Sequence, residues 1–406
     1  MSAYSPRQRT NRSFSSRPRS GHTPRYGGGR KKSGGRGKQF IDPSKYVNAA
    51  QTKLEETVYE SKHEFKDFGL QADLQSNLDR KGYKTPTAIQ DQAIKPAISG
   101  RDIIGLANTG TGKTAAFLLP IIHRLKTEDT RQTALIIAPT RELAVQIDEE
   151  FRAFAHGMKL YSAICVGGTN IRPQIRQLER HPEIVIGTPG RIKDLMQQRA
   201  LNLSHVGFFV LDEADRMLDM GFMPDLKFIM GALPEKRQSL CFSATITPDI
   251  SQILDQLLHD PVTVSVRTAE TSEHVEQNVV RVSGKEAKYE KLAELLRQPE
   301  FDRVLVFGET KFGVQRLAER LTRDGLRAEA IHGNKSQAQR QRALKSFKDG
   351  KVNILIATDV AARGLDIPNV SHVINFEEPQ TYSDYVHRIG RTGRAGNAGN
   401  ALTFVG

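Results

Sequence analysis

Ala107-Asn108-Thr109-Gly110-Thr111-Gly112-Lys113-Thr114 decides the fold class. Just before it, Asp102-Ile103-Ile104-Gly105-Leu106 reads as a short buried strand, and just after it Ala115-Ala116-Phe117-Leu118-Leu119 reads as a helix. A Gly/Thr-rich turn between strand and helix leaves backbone N–H groups free to point at phosphates. The helix N-terminus adds partial positive charge, Lys113 a full one, and the Thr114 hydroxyl can bind Mg²⁺. Ala107 stands where the general spacing G-x-x-x-x-G-K-[ST] has its first glycine. The rival reading, a Gly/Thr loop with a chance lysine, is disfavoured by the strand–loop–helix context.

About a hundred residues on, Phe208-Phe209-Val210-Leu211 is a continuous apolar run of the kind a parallel strand buries on both faces. It ends in Asp212-Glu213-Ala214-Asp215. Ligands of open α/β sheets bind beyond the carboxyl ends of strands, so these acids are expected to face the cradle. Asp212 would hold the metal, largely through water, and Glu213 would orient or deprotonate the attacking water. Alone, an acidic tetrapeptide is a helix cap or a solvated turn; paired with the cradle it reads as catalytic.

Composition bounds the rest. A chain of 406 residues allows two ordinary domains and a tail. No apolar stretch approaches the length of a membrane span, and the Arg/Ser/Gly-rich N-terminus lacks the apolar core of a secretory signal. Cys165 and Cys241 lie in apolar stretches with no metal-ligand spacing, which reads as small buried hydrophobes in a reducing compartment, so a cytoplasmic location is expected. Of the net charge of +13, residues 1–41 carry eleven Lys/Arg and no acid, leaving +2 for the remainder. This segment is too poor in large apolar residues to fold, and its interleaved Arg, Tyr4, Phe14 and Tyr26 suit sequence-blind contacts with nucleic acid. The alternative is a solubilising tail with no specific partner.

From about residue 63 strands and helices alternate, which indicates βαβ units on parallel sheets. Strands are expected at 102–107, 134–139, 163–167, 183–187, 207–211 and 239–242, with helices between them, such as Arg141 to Phe154 and Arg191 to Gln198. The polar stretch 267–274 reads as a hinge. Alternation then resumes, with strands at 304–307, 328–331, 353–357 and 372–375 and helices near 285–296, 311–323 and 336–348. The fold class is therefore α/β, two parallel-sheet domains over 63–266 and 275–406, preceded by a disordered basic tail (1–41) and a linker (42–62). The second half has no phosphate loop of its own and is expected to close over a nucleotide bound by the first. Phosphoryl transfer needs further positive charge, and His387-Arg388-Ile389-Gly390-Arg391-Thr392-Gly393-Arg394 offers three arginines at intervals of three. On spacing alone it is equally a basic RNA-binding turn or a surface loop.

Together the motifs resemble those of the DEAD-box RNA helicases of superfamily 2, and the resemblance covers nearly all of 63–406. Phe65 and Gly82 to Gln90, with Lys84 and Thr85, resemble the family's Q motif, which implies that Gln90 reads adenine, that Phe65 packs on the ring, and that ATP is used with Mg²⁺. The cradle matches the family's own version, in which alanine replaces the first glycine. Thr140 and Arg141 in Pro139-Thr140-Arg141-Glu142-Leu143-Ala144, Gly168 after Gly167, and Thr188 and Arg191 around Pro189-Gly190 resemble segments that grip the RNA backbone. Gly333, Asn334, Gln337 (with Arg340 in a Q-x-x-R element) and Thr358 fall on the RNA side of the second domain. Ser243-Ala244-Thr245, Asp215 and His387 take positions that couple hydrolysis to strand separation. Gly364 and Asp366, in the stretch Ala357 to Ile367, are implied on the nucleotide side, and Arg391 and Arg394 as the finger arginines. Two RecA-like domains, RNA as partner with little sequence preference, no membrane and a monomer follow as implications. The motif IV stretch departs from the pattern at Gly308-Glu309, and the sequence ends at Gly406 after a strand-like Ala401 to Val405, where the family commonly continues with a helix. Two rival classes use the same parts, a DNA translocase and a non-enzymatic RNA chaperone.

Overall fold

The long apolar runs become strands whose neighbouring residues feed opposite core layers. A computed structural model describes residues 42–47, 59–108, 110–128, 132–266, 275–362, 367, 370–393 and 399–406. In chain order the first domain comprises α1 (Ala72–Arg80), α2 (Ala88–Ile98), β1 (Ile103–Leu106), α3 (Lys113–Thr127), β2 (Thr133–Ile137), α4 (Arg141–Phe154), β3 (Ser162–Cys165) and α5 (Ile171–Leu178). It continues with β4 (Ile184–Gly187), α6 (Pro189–Gln197), β5 (Val206–Asp212), α7 (Ala214–Asp219), α8 (Met223–Met230), β6 (Gln238–Ser243), α9 (Pro248–Leu257) and β7 (Val262–Ser265). The strands form one parallel sheet in the order β3-β4-β2-β5-β6-β1-β7.

On β2, Ile136 enters a core with α1 to α4, while its neighbours Leu135 and Ile137 enter the core on the other face with α5 to α9. Phe208 and Phe209 of β5 divide the same way. A sheet covered on both faces explains why these strands read as unbroken apolar runs. Each such side chain contributes roughly 1.5–3 kcal/mol on burial. α4 shows how the sequence sets a helix: Thr140 caps it by accepting from the Leu143 N–H at 3.3 Å, and Leu143, Ala144, Ile147, Phe151 and Phe154 form its buried stripe.

The second domain comprises β8 (Val275–Arg281), α10 (Lys285–Leu295), β9 (Val304–Phe307), α11 (Lys311–Arg323), β10 (Ala328–Ile331), α12 (Gln337–Lys348), β11 (Ile354–Ala357), α13 (Asp359–Ala362), β12 (His372–Asn375), α14 (Tyr382–Ile389) and β13 (Gly399–Val405). Its parallel sheet runs β10-β11-β9-β12-β13-β8. The expected strands at 304–307, 328–331 and 372–375 and the helix at 311–323 form with those bounds.

Two strands arise where none was expected, β7 and β8. Both are sheet edges with one face partly exposed, so their sequences lack an apolar run. The expected tail (1–41) and hinge (267–274) lie outside the described residues. The expected linker 42–62 divides: Pro43–Tyr46 forms a 3-10 turn buried on the second domain through Tyr46, whereas Tyr59 to His63 bind α2 of the first.

Candidate active site

Three adjacent strands bring the cradle and the acids together. β6 lies between β1 and β5, pairing Ser243 with Leu106 on one side and Phe242 with Asp212 on the other. Their carboxyl ends therefore present the cradle, Ser243-Ala244-Thr245 and Asp212-Glu213 side by side. Gly112 caps α3 at φ +95°, a left-handed conformation in which a side chain is strained, and a Cβ there would strike the Gln90 carboxamide. Lys113 is buried and donates from Nζ to the Ala107 carbonyl at 2.9 Å. Thr111 Oγ1 donates to the Asn108 carbonyl at 2.8 Å, and Thr114 is partly buried at the start of α3.

Asp212 closes β5 and is 2% exposed. Burial raises its carboxyl from 3.8 to about 6, with Lys113 opposing the rise and Glu213 and Asp215 adding to it. Its Oδ1 has no hydrogen-bond partner among the described residues, and neither has Glu213 Oε1. Two orphaned carboxylate oxygens beside a buried lysine and a threonine hydroxyl fit a hydrated divalent cation. Glu213 sits at φ +55°, a strained conformation for this residue, with Oε2 accepting from Arg216 Nη1 at 3.2 Å. Asp215 points instead to β6: its Oδ2 accepts from the Ala244 and Thr245 N–H groups, both at 3.1 Å, and from Thr245 Oγ1 at 3.3 Å. Ser243 Oγ donates to the Thr245 carbonyl at 2.7 Å. Asp215, Ser243 and Thr245 thus form one connected unit.

The segment before β1 meets the cradle through Gln90. Its Oε1 accepts from the Thr87 N–H at 2.9 Å and its Nε2 donates to the Gly112 carbonyl at 3.0 Å. The carboxamide is therefore spent on joining α2 to the cradle here. Phe65 departs from the expectation of a ring offered to a ligand. It is 1% exposed in the first-domain core, edge-on to Phe68 and Tyr83. Lys84 and Thr85 are exposed beside it.

On the second domain, Arg388 is buried and forks onto Asp359, Nε to Oδ1 at 2.6 Å and Nη2 to Oδ2 at 2.7 Å. Its Nη1 donates to the Glu377 carbonyl at 2.7 Å. Arg388 holds α14 to the start of α13, and a small cleft beside it is lined by Asp359, Asp384, His387 and Arg391. Between the domains, Arg340 Nη2 lies 3.0 Å from Glu142 Oε2, both side chains being at most 10% exposed. Arg141 joins this cluster: burial lowers its guanidinium below the ordinary value, and Arg340 and Arg191 lower it further. A Cβ at Gly168 would collide with the Arg141 guanidinium. Arg191 Nη1 and both side-chain polar atoms of Gln337 are buried without partners among the described residues. Thr140, Thr188 and Thr358 are buried nearby at the starts of α4, α6 and α13, whereas Gly333 and Asn334 are exposed after β10.

The DEAD/DEAH box helicase family model matches residues 87–253, and that for the helicase conserved C-terminal domain matches 287–396. The "ATP-dependent RNA helicase CshA" of Listeria monocytogenes is 46% identical over 342 residues, 84% of this chain and 66% of that protein. The DEAD-box ATP-dependent RNA helicase CshA of Bacillus subtilis is 44% identical over 84% of this chain and 69% of its own length. The chain belongs to the DEAD-box ATP-dependent RNA helicases.

Among solved structures, Saccharomyces cerevisiae Dbp5 bound to RNA and ADP BeF3 matches with a TM-score of 0.74 at 31% identity, covering 84% of this chain and 89% of that one. Mss116p bound to single-stranded RNA and AMP-PNP matches with a TM-score of 0.76 at 30% identity, covering 85% and 76%. These likenesses and the two parallel sheets make the domains of this DEAD-box chain RecA-like. Thr109, Gly364, Asp366 and Arg394 lie outside the described residues. No described helix is long and apolar enough to cross a membrane. Sequence reading missed Arg388 and Asp359: spacing makes the three arginines equivalent, and it is the fork onto Asp359 that marks Arg388 as structural.

Proposed function

We propose that this DEAD-box chain clamps RNA between its domains when ATP and Mg²⁺ are bound, locally separating short RNA duplexes, and that hydrolysis reopens it. The observation that carries this reading is the Arg340–Glu142 pair at 3.0 Å, which joins the RNA-side segments of the two domains, with Arg141 and Arg191 around it. Converging guanidiniums with unpartnered polar neighbours suit a phosphate backbone, and they read shape and 2′-hydroxyls without base identity.

Bound Mg·ATP supplies the transferable phosphoryl group and its neutralising cation. Lys113 and the N–H groups of the cradle, Asn108 to Thr114, bind the phosphates; Thr114 and Asp212 hold the cation, largely through water. Gln90, Lys84 and Thr85 form the adenine side, with Gly364 and Asp366 opposite. Glu213 orients the attacking water and takes its proton. Arg391 and Arg394 add charge at the phosphate as the domains close, which links hydrolysis to RNA held by Thr140, Arg141, Gly168, Thr188, Arg191, Gly333, Asn334, Gln337 and Thr358. The unit of Asp215, Ser243 and Thr245, with His387, carries closure to the acids. The reading includes domains at 63–266 and 275–406 around a hinge at 267–274, a monomer, and cytoplasmic action. It also assigns the basic segment 1–41 to non-specific RNA affinity. Deleting that segment is expected to weaken RNA binding at low salt, and unchanged affinity would remove the assignment.

The deciding experiment is steady-state ATP hydrolysis alone, with single-stranded RNA, and with DNA of the same sequence. Stimulation by RNA alone is expected. Equal stimulation by DNA would favour a DNA translocase, and equal rates in all three would refute RNA-gated closure.

A further inference from the structure

We propose that Tyr46 is a positioning residue for α14, the helix that leads to Arg391. This step rests on the proposed function of the nucleotide site. The contact is built locally: the Asp42 side chain accepts from the Ser44 N–H at 2.9 Å, and Pro43 opens a 3-10 turn, Pro43–Tyr46. The turn delivers one side chain. Tyr46 is 0% exposed, whereas Val47 next to it is 56% exposed.

Tyr46 packs with Val275, Tyr385, Ile389, Ala401 and Val405, its ring centroid 4.8 Å from that of Tyr385. Tyr385 and Ile389 are one turn apart on α14, and the Tyr385 hydroxyl donates to Gln277 Oε1 of β8 at 2.8 Å. The same helix carries His387 and Arg388, and Arg391 follows two residues beyond Ile389. The Tyr46 hydroxyl is buried without a partner among the described residues, so ring area, and not the phenol, holds the contact.

Thirteen positions beyond Tyr46, at Tyr59, the chain is fastened to the other domain. Asp91, beside Gln90 on α2, accepts from the Tyr59 hydroxyl at 2.5 Å and the Lys62 N–H at 2.9 Å, and its Oδ1 lies 2.6 Å from His63 Nδ1. One flank thus joins the helix of Gln90 to the helix leading to Arg391. Thirteen residue steps reach at most about 47 Å, which caps the separation of these anchors. An incidental apolar cover would need neither the capped turn nor the second anchor.

The test uses the full chain as wild type, Tyr46→Ala and Tyr46→Phe, reading amide hydrogen exchange of 382–391 and RNA-stimulated ATP hydrolysis. In Tyr46→Ala, exchange is expected to quicken and kcat to fall by about 10- to 100-fold, the scale of a small misplacement of a catalytic group, while KM for ATP holds. Tyr46→Phe is expected to match wild type in both. Unchanged exchange and kcat in Tyr46→Ala, or equal losses in Tyr46→Phe, would overturn the proposal. The chain has no tryptophan, so Tyr46→Trp gives a single emitter: blue-shifted, quencher-protected emission supports docking and solvent-like emission refutes it. A wild type without RNA-stimulated hydrolysis would refute the proposed function and the positioning role with it, while emission and exchange would still decide the docking.

Discussion

Replacing Asp212 by asparagine is expected to stabilise the empty protein while disabling it. Asp212 is 2% exposed, its Oδ1 is unpartnered, and burial lifts its carboxyl from 3.8 to about 6. That difference corresponds to roughly 3 kcal/mol opposing the charged form at neutral pH. In a domain of this size each kcal/mol moves Tm by about 2–4 °C. The desolvation of asparagine itself takes back part of the gain, so a rise of about 5 °C is expected at pH 7.5. The folded-state value lies above the ordinary one, so the wild type is fully penalised above pH 6 and is relieved as pH falls toward 4. At pH 5 about half of the difference should remain. Thermal unfolding of both proteins at pH 7.5 and pH 5, each without nucleotide, measures this directly. An asparagine variant no more stable than wild type at pH 7.5, or a difference indifferent to pH, would refute the reasoning. Mg·ATP should raise the Tm of the wild type more than that of the variant, because the variant lacks the Asp212 carboxylate proposed to hold the cation.

Three further outcomes follow from the site and its supports. Glu213→Gln should retain ATP and RNA binding while slowing single-turnover hydrolysis about 10²- to 10⁴-fold; normal turnover would take Glu213 out of the mechanism. Arg388→Lys keeps the charge but loses the fork onto Asp359 and should destabilise the second domain by roughly 1.5–3 kcal/mol, read as a lower urea midpoint, and an unchanged midpoint would deny the pair a structural role. Cys165 and Cys241 are buried, burial pushing the Cys165 thiol up to about 12 and Cys241 higher still, so both should resist thiol reagents at pH 8 until the chain unfolds. Labelling of the native protein faster than unfolding would contradict that.

Much of this was legible in the sequence because the sheets are covered on both faces. Val304–Phe307 and Ile354–Ala357 are apolar runs with one interpretation, and Arg141–Phe154 follows its own cap and carries its own stripe. β7 and β8 escaped notice because each edge strand keeps exposed polar positions among its buried ones and so lacks a continuous apolar run. Motif spacing located Lys113 and Asp212 but said nothing of what each touches without ligand. The partners of Gln90, the burial of Phe65 and the docking of Tyr46 depend on contacts distant in sequence, which periodicity does not encode. Arg388 and Arg391 are alike as letters, and only the fork onto Asp359 tells them apart.

Lys113 resting on the Ala107 carbonyl bears on how long a nucleotide stays. A hydrogen bond to a charged donor is worth about 1.5–3 kcal/mol, and under the proposed function a phosphate would have to displace it before gaining its own contact with the ammonium. Net affinity is lowered by the strength of the contact surrendered, and a departing product is helped by its return. The side chain changes partners in nanoseconds, so the substitution adds no delay of its own. A cradle that can satisfy its own lysine would thus suit repeated exchange of nucleotide over long retention of any one molecule.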